Sequence, residues 1–158
     1  MGVSGSGKTT VGRALASRLG WDFYDADDFH PPENLAKMAA GIALGDEDRA
    51  PWLAALHDLI ASCLARRTPG VLACSALKES YRRTLLAGNS GTEVVYLRGS
   101  YDLILPRMNS RTGHCMQAEL PGSQFEDLEE PAGVLTIDAG LPVGQIVESV
   151  IHRMEAAQ

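Results

Sequence analysis

The chain has 158 residues, of which 45% are hydrophobic and 22% charged. That is enough apolar side chain for the core of about one soluble domain, which excludes a disordered chain, and no apolar run approaches the ~20 residues of a membrane span. With 14 Lys and Arg against 20 Asp and Glu the net charge is −6, so the chain lacks the basic footprint of a nucleic-acid binder and repels anions at long range. An anionic substrate therefore requires a local cluster of cations. The opening Met1-Gly2-Val3-Ser4 has neither the basic flank nor the apolar core of a signal peptide, which makes the cytoplasm the expected location. Cys63, Cys74 and Cys115 are odd in number and form no C-x-x-C pair, so they read as reduced thiols.

Gly2-Val3-Ser4-Gly5-Ser6-Gly7-Lys8-Thr9 matches G-x-x-x-x-G-K-[ST] at every fixed position. Glycines let the backbone wrap closely around a triphosphate so that successive N–H groups point at its oxygens. A helix over residues 8–19 follows, with Val11, Ala14, Leu15 and Leu19 on one face and Gly20 as its stop, and it adds the positive end of its dipole to the anion site. ATP is the expected ligand, held by Gly2, Val3, Ser4, Gly5, Ser6, Gly7, Lys8, Thr9 and Thr10. Lys8 is expected at the β- and γ-phosphates, and Thr9 on Mg²⁺. A buried apolar strand should precede such a loop, and only Met1 stands there. Its loss would leave pairing groups on both neighbours exposed, so a displaced or truncated start is expected.

Residues 21–24 read as a strand ending at Asp25, residues 33–40 as a short helix closed by Gly41, and Pro51 as part of the first turn of a longer helix reaching Arg66. Strands are expected at 71–74, 93–98 and 134–137, and helices at 76–87, 101–109, 124–128 and 143–156, with Pro106 kinking or shortening the third-last of these helices. Residues 110–122 have no clean periodicity and read as a mobile segment. Alternating strands and helices imply an α/β fold, a parallel sheet with helices on both faces.

Asp25-Ala26-Asp27-Asp28-Phe29-His30 follows directly on the first of these strands, at the edge where open parallel sheets place ligand groups. If the extended run persists, Asp25 and Asp27 share a face, one holding a metal-bound water and the other accepting a proton from an alcohol. A solvated acidic turn is the alternative. These segments, with Asn34, Lys37-Met38, Asp46-Glu47-Asp48-Arg49, Pro51-Trp52-Leu53, Cys74-Ser75-Ala76-Leu77-Lys78, Tyr81-Arg82, Gly113-His114 and Ser123-Gln124-Phe125-Glu126 before Leu128-Glu129-Glu130-Pro131, resemble the gluconate kinases of the phosphate-loop group over nearly the whole chain.

The resemblance implies ATP-dependent phosphorylation of D-gluconate to 6-phospho-D-gluconate in a single kinase domain, and it suggests a homodimer. It implies substrate binding by His30, Lys37, Arg49, Lys78 and Arg82, which would supply the local positive cluster; surface ion pairs are the alternative for each. Asp27 is the expected base, and because the strand ending at Cys74 carries no terminal Asp, metal ligation is expected to fall to Thr9 and Asp25. The resemblance makes the segment after residue 109 a lid, with Arg107 and Arg111 as catalytic arginines that meet the transferring phosphoryl group; a basic helix end is the alternative. Competing readings are a shikimate or nucleoside monophosphate kinase of the same fold, and a non-catalytic nucleotide-binding fragment.

Overall fold

A computed structural model describes residues 1–109 and 121–156. The expected lid and Arg111 lie outside the described residues, except that Pro121 and Gly122 open a helix. In chain order the elements are α1 (Lys8–Leu19), β1 (Asp22–Asp25), a 3₁₀ turn (Ala26–Phe29), α2 (Pro32–Ala39), α3 (Asp46–Arg66), β2 (Gly70–Ala73), α4 (Glu79–Leu86), β3 (Val95–Arg98), α5 (Tyr101–Asn109), α6 (Pro121–Asp127), β4 (Leu135–Asp138) and α7 (Val143–Ala156).

All strand pairing is parallel. Asp22 to Asp25 lies opposite Gly70 to Ala73, and Val95 to Arg98 opposite Leu135 to Asp138. Neighbouring residues of β2 point to different cores, as the pleat requires. Val71 packs with Val11, Leu15, Leu97, Ile137 and Ile146 from α1, α7 and the second strand pair, whereas Leu72 packs with Trp52, Leu56, Tyr81 and Leu85 from α3 and α4. Helices therefore cover both faces, as expected.

The helix α1 keeps the bounds that its periodicity implies and ends on Gly20 in the left-handed conformation (φ 68°). The helix α3 begins before Pro51, because the Asp48 carboxylate accepts the Gly45 N–H at 3.1 Å and three acidic residues occupy the first turn, where the helix dipole favours them. The helix α4 begins at Glu79 rather than Ala76, which has φ 44° and belongs to a loop. In α5 the helix continues through Pro106 to Asn109.

The sheet is split. No ladder joins β2 to β3 among the described residues, and the two pairs stand as separate two-stranded sheets. An apolar cleft of about 700 Å³ lies between them, lined by Val71, Leu72, Val94, Val95 and Leu97 among others. Met1 and Gly2 bridge its end. The Met1 backbone nitrogen donates to Val95 O, its carbonyl accepts the Leu97 N–H at 2.9 Å, and the Gly2 N–H reaches Ser75 O at 3.3 Å. The first two bonds are one rung of a parallel ladder against β3, so the expected gap is present but its carboxyl end is closed by these two residues.

Candidate active site

Residues 2–7 form a loop at the carboxyl ends of β1 and β2 and run straight into α1. Gly7 caps that helix at φ 91°, a conformation that L side chains rarely adopt. At Gly2 (φ 146°) an added Cβ would lie 2.7 Å from Leu97 O, so bulk there would push the loop off β3. Lys8 Nζ donates to Val3 O at 3.0 Å, which folds the ammonium back over the loop. Ser6 is buried, and its Oγ has no hydrogen-bond partner among the described residues. Turned backbone, a helix N-terminus and a lysine across the loop together make a site for a polyphosphate.

At the first turn of α1, Thr9 Oγ1 donates to Asp25 Oδ2 at 2.9 Å. The other oxygen of Asp25 accepts the Asp27 N–H at 3.3 Å and starts the 3₁₀ turn. The extended run therefore stops at Asp25, and the shared face expected for Asp25 and Asp27 does not form. The turn instead separates them: Asp25 stays with Thr9 beside the phosphate loop, and Asp27 lines a second cleft with His30, Arg49, Tyr81, Gln124 and Asp127. A hydroxyl and a carboxylate are hard oxygen donors and suit Mg²⁺, which needs only one or two protein groups beside phosphate and water. Among the described residues no cluster of three or more His, Cys, Asp or Glu offers a cage for another metal.

The helix α3 holds this second cleft in shape. Trp52 Nε1 donates to Ala26 O at 2.7 Å from a buried position, and the His30 ring stacks on Trp52 with centroids 4.7 Å apart and planes 7° from parallel. Asn34 Nδ2 donates to Asp48 O at 2.7 Å, which ties α2 to the start of α3. Arg49 donates to the Tyr81 hydroxyl at 3.3 Å and lies over its ring, 5.7 Å from the centroid. The Tyr81 hydroxyl donates in turn to Asp46.

Of the five expected acceptor cations, His30 and Arg49 reach the cleft with Asp27. Lys37 pairs with Asp48 at 2.6 Å and Lys78 with Asp46 at 3.0 Å. Those bonds hold both carboxyls below the usual range, Asp46 through Tyr81 and Lys78, and Asp48 through Lys37 and the Gly45 N–H. Arg82 is buried, and Nη1 donates to Ala76 O at 2.9 Å and Leu77 O at 2.7 Å. It shapes the loop that carries Ser75 and Leu77 into the cleft. Arg107 Nη1 donates to Ala139 O at 2.9 Å, past the end of β4. Tyr81, Gln124 and Asp127 are lining residues that a search for cations passes over; Tyr81 and Gln124 do fall within the segments that carry the family resemblance.

The chain matches the shikimate kinase family model over residues 4–131. It is 48% identical over 177 aligned residues to a probable gluconokinase of Mus musculus, covering 98% of this chain and 95% of that protein. The solved structure of a gluconokinase from Sinorhizobium meliloti 1021 superposes with a TM-score of 0.83 at 45% identity, covering 96% of this chain and 87% of that one. The chain belongs to the gluconokinase family. Shikimate kinase from Aquifex aeolicus vf5, at 15% identity and a TM-score of 0.58 over 99% of this chain and 94% of that one, shares the fold alone. The wider cleft between the half-sheets is lined mainly by apolar side chains, whereas the smaller one holds Asp27, His30 and Arg49.

The geometry separates two roles for Arg82. Replacing Arg82 by Met strips two loop carbonyls of their donor, and unsatisfied buried groups cost ~1–3 kcal/mol each. Urea unfolding of Arg82→Met is expected to show a loss of about 2–4 kcal/mol. Parental stability with a raised KM for the acceptor would instead make Arg82 a direct substrate ligand.

Proposed function

We propose that this protein transfers the γ-phosphoryl group of ATP to the 6-hydroxyl of D-gluconate, giving 6-phospho-D-gluconate and ADP. The observation that carries the reading is a phosphate loop set beside a cleft where a carboxylate, Asp27, stands with His30 and Arg49, in a chain that aligns over nearly its full length with gluconokinases. Identity to gluconokinases well above that to shikimate kinases favours gluconate over shikimate as the acceptor.

The loop N–H groups from Gly2 to Thr10 hold the phosphates, and Lys8 leaves Val3 O to neutralise charge on the β- and γ-oxygens. Thr9 and Asp25 would hold Mg²⁺, Asp25 through a water, and the ion when bound neutralises phosphate charge. Arg49 and His30 bind the carboxylate and hydroxyls of the acceptor. Lys37 and Lys78 act on that wall through Asp48 and Asp46 and leave their partners to meet substrate only if the acceptor displaces them. The acceptor oxygen attacks the γ-phosphorus, the bond from that phosphorus to the β,γ-bridging oxygen breaks, and Asp27 takes the hydroxyl proton. Arg107 and Arg111 are assigned to the phosphoryl oxygens and residues 110–122 to a lid that excludes water. Cytoplasmic location and a homodimer belong to the same reading; no described helix is long and apolar enough to cross a membrane.

In a coupled assay, D-gluconate and not shikimate is expected to support ADP formation. Asp27→Asn keeps an acceptor but cannot take the proton, so kcat is expected to fall at least ~10²-fold with nucleotide affinity little changed. Lys8→Ala is expected to lose most turnover while the fold survives. Turnover of shikimate alone overturns the acceptor, and kcat within a few-fold of the parent in Asp27→Asn overturns the base.

A further inference from the structure

One side chain belongs to both halves of the site. Gln124 lies in α6, is 4% exposed, and meets Ser4 across 120 residues of chain. The Ser4 N–H donates to Gln124 Oε1 at 2.6 Å, and Gln124 Nε2 donates to Ser4 Oγ at 3.1 Å. A primary amide that accepts from the backbone and donates to the side chain of one residue fixes both the tilt of that peptide and the rotamer. Ser4 sits between Gly2 and Gly5, both at positive φ, in a stretch where glycine leaves the backbone much freedom to lose on ordering. The Gln124 amide is thus a specific tie on the phosphate loop in the shape described.

The same side chain lines the acceptor cleft with Asp27, His30 and Arg49, and Asp127 reaches that cleft from three residues further along α6. An acceptor seated there touches the group that orients Ser4. Ordering Gln124 from one side lowers the cost of ordering the loop from the other, so the second ligand pays less than the first. Such coupling is reciprocal by linkage.

We propose that Gln124 is a positioning residue that couples the acceptor cleft to the phosphate loop, so that a bound sugar acid tightens nucleotide binding and bound nucleotide tightens the sugar acid. This rests on the gluconokinase reading, and the two are tested separately. Turnover of D-gluconate by the parent protein tests the reaction. Coupling is tested by calorimetric titration of the full chain with Mg²⁺ and AMPPNP, a non-hydrolysable ATP analogue, with and without saturating D-gluconate.

The parent is expected to bind AMPPNP at least ~5-fold more tightly when gluconate is present. Gluconate is expected to change AMPPNP affinity less than ~2-fold in Gln124→Met, which keeps the volume and removes both bonds, and in Gln124→Ala, which gives a second measurement at the same position. Melting temperatures close to the parent's would show that the lost coupling is not lost fold. Parental coupling in either folded variant overturns the proposal, because Gln124 then only fills space. No coupling in the parent overturns it as well, even if gluconate is turned over.

Discussion

Polyphosphate has to be held by a chain whose net charge is −6, and this constraint accounts for most of the site. The long-range field opposes the ligand, so attraction has to come from groups a few ångströms away. Backbone N–H groups supply it without changing the net charge, which is why the loop at residues 2–7 depends on glycine conformations and on the start of α1. Lys8 is the cation built into that loop, and its contact with Val3 O keeps it across the loop. The close approach of Gly2 to Leu97 O ties the same loop to β3, so the phosphate site and the sheet support one another.

The acceptor side meets the constraint differently. Asp46 and Asp48 begin α3, where the dipole favours acids, and each takes one lysine. Their lowered pKa values follow from those bonds, with Tyr81 the larger influence at Asp46. Arg49, one residue after Asp48, is thereby carried into the cleft over the Tyr81 ring, and Trp52 on the same helix carries the 3₁₀ turn and His30. A single helix thus places Arg49 and His30 at the cleft, and Asp27 follows from the turn that Trp52 anchors.

Much of this is legible in the residues. Fixed spacing marks the phosphate loop, and clean periodicity places α1 and α7 to the residue. What is hidden arises where a long-range contact overrides a local signal. Pro51 reads as a first-turn residue, yet the bond from Gly45 to Asp48 starts α3 earlier. Asp25 and Asp27 alternate as in a strand until Asp25 accepts the Asp27 N–H and turns the chain. The family resemblance marks Arg82 as a ligand, and only the fold shows its Nη1 donating to Ala76 O and Leu77 O. The pairing of Ser4 with Gln124 spans most of the chain, and neither residue type announces it. The single residue before the loop signals the split sheet, whereas the ladder rung that Met1 makes with β3 is visible only in the fold.

The central claim is that phosphate loop and cleft present one hydroxyl of a sugar acid to ATP. Phosphorus–proton correlation NMR of the product formed from ATP, Mg²⁺ and D-gluconate tests it most directly. The account predicts a single phosphomonoester whose phosphorus couples to the two protons on C6. Phosphate on another carbon, or orthophosphate as the sole product, would contradict it.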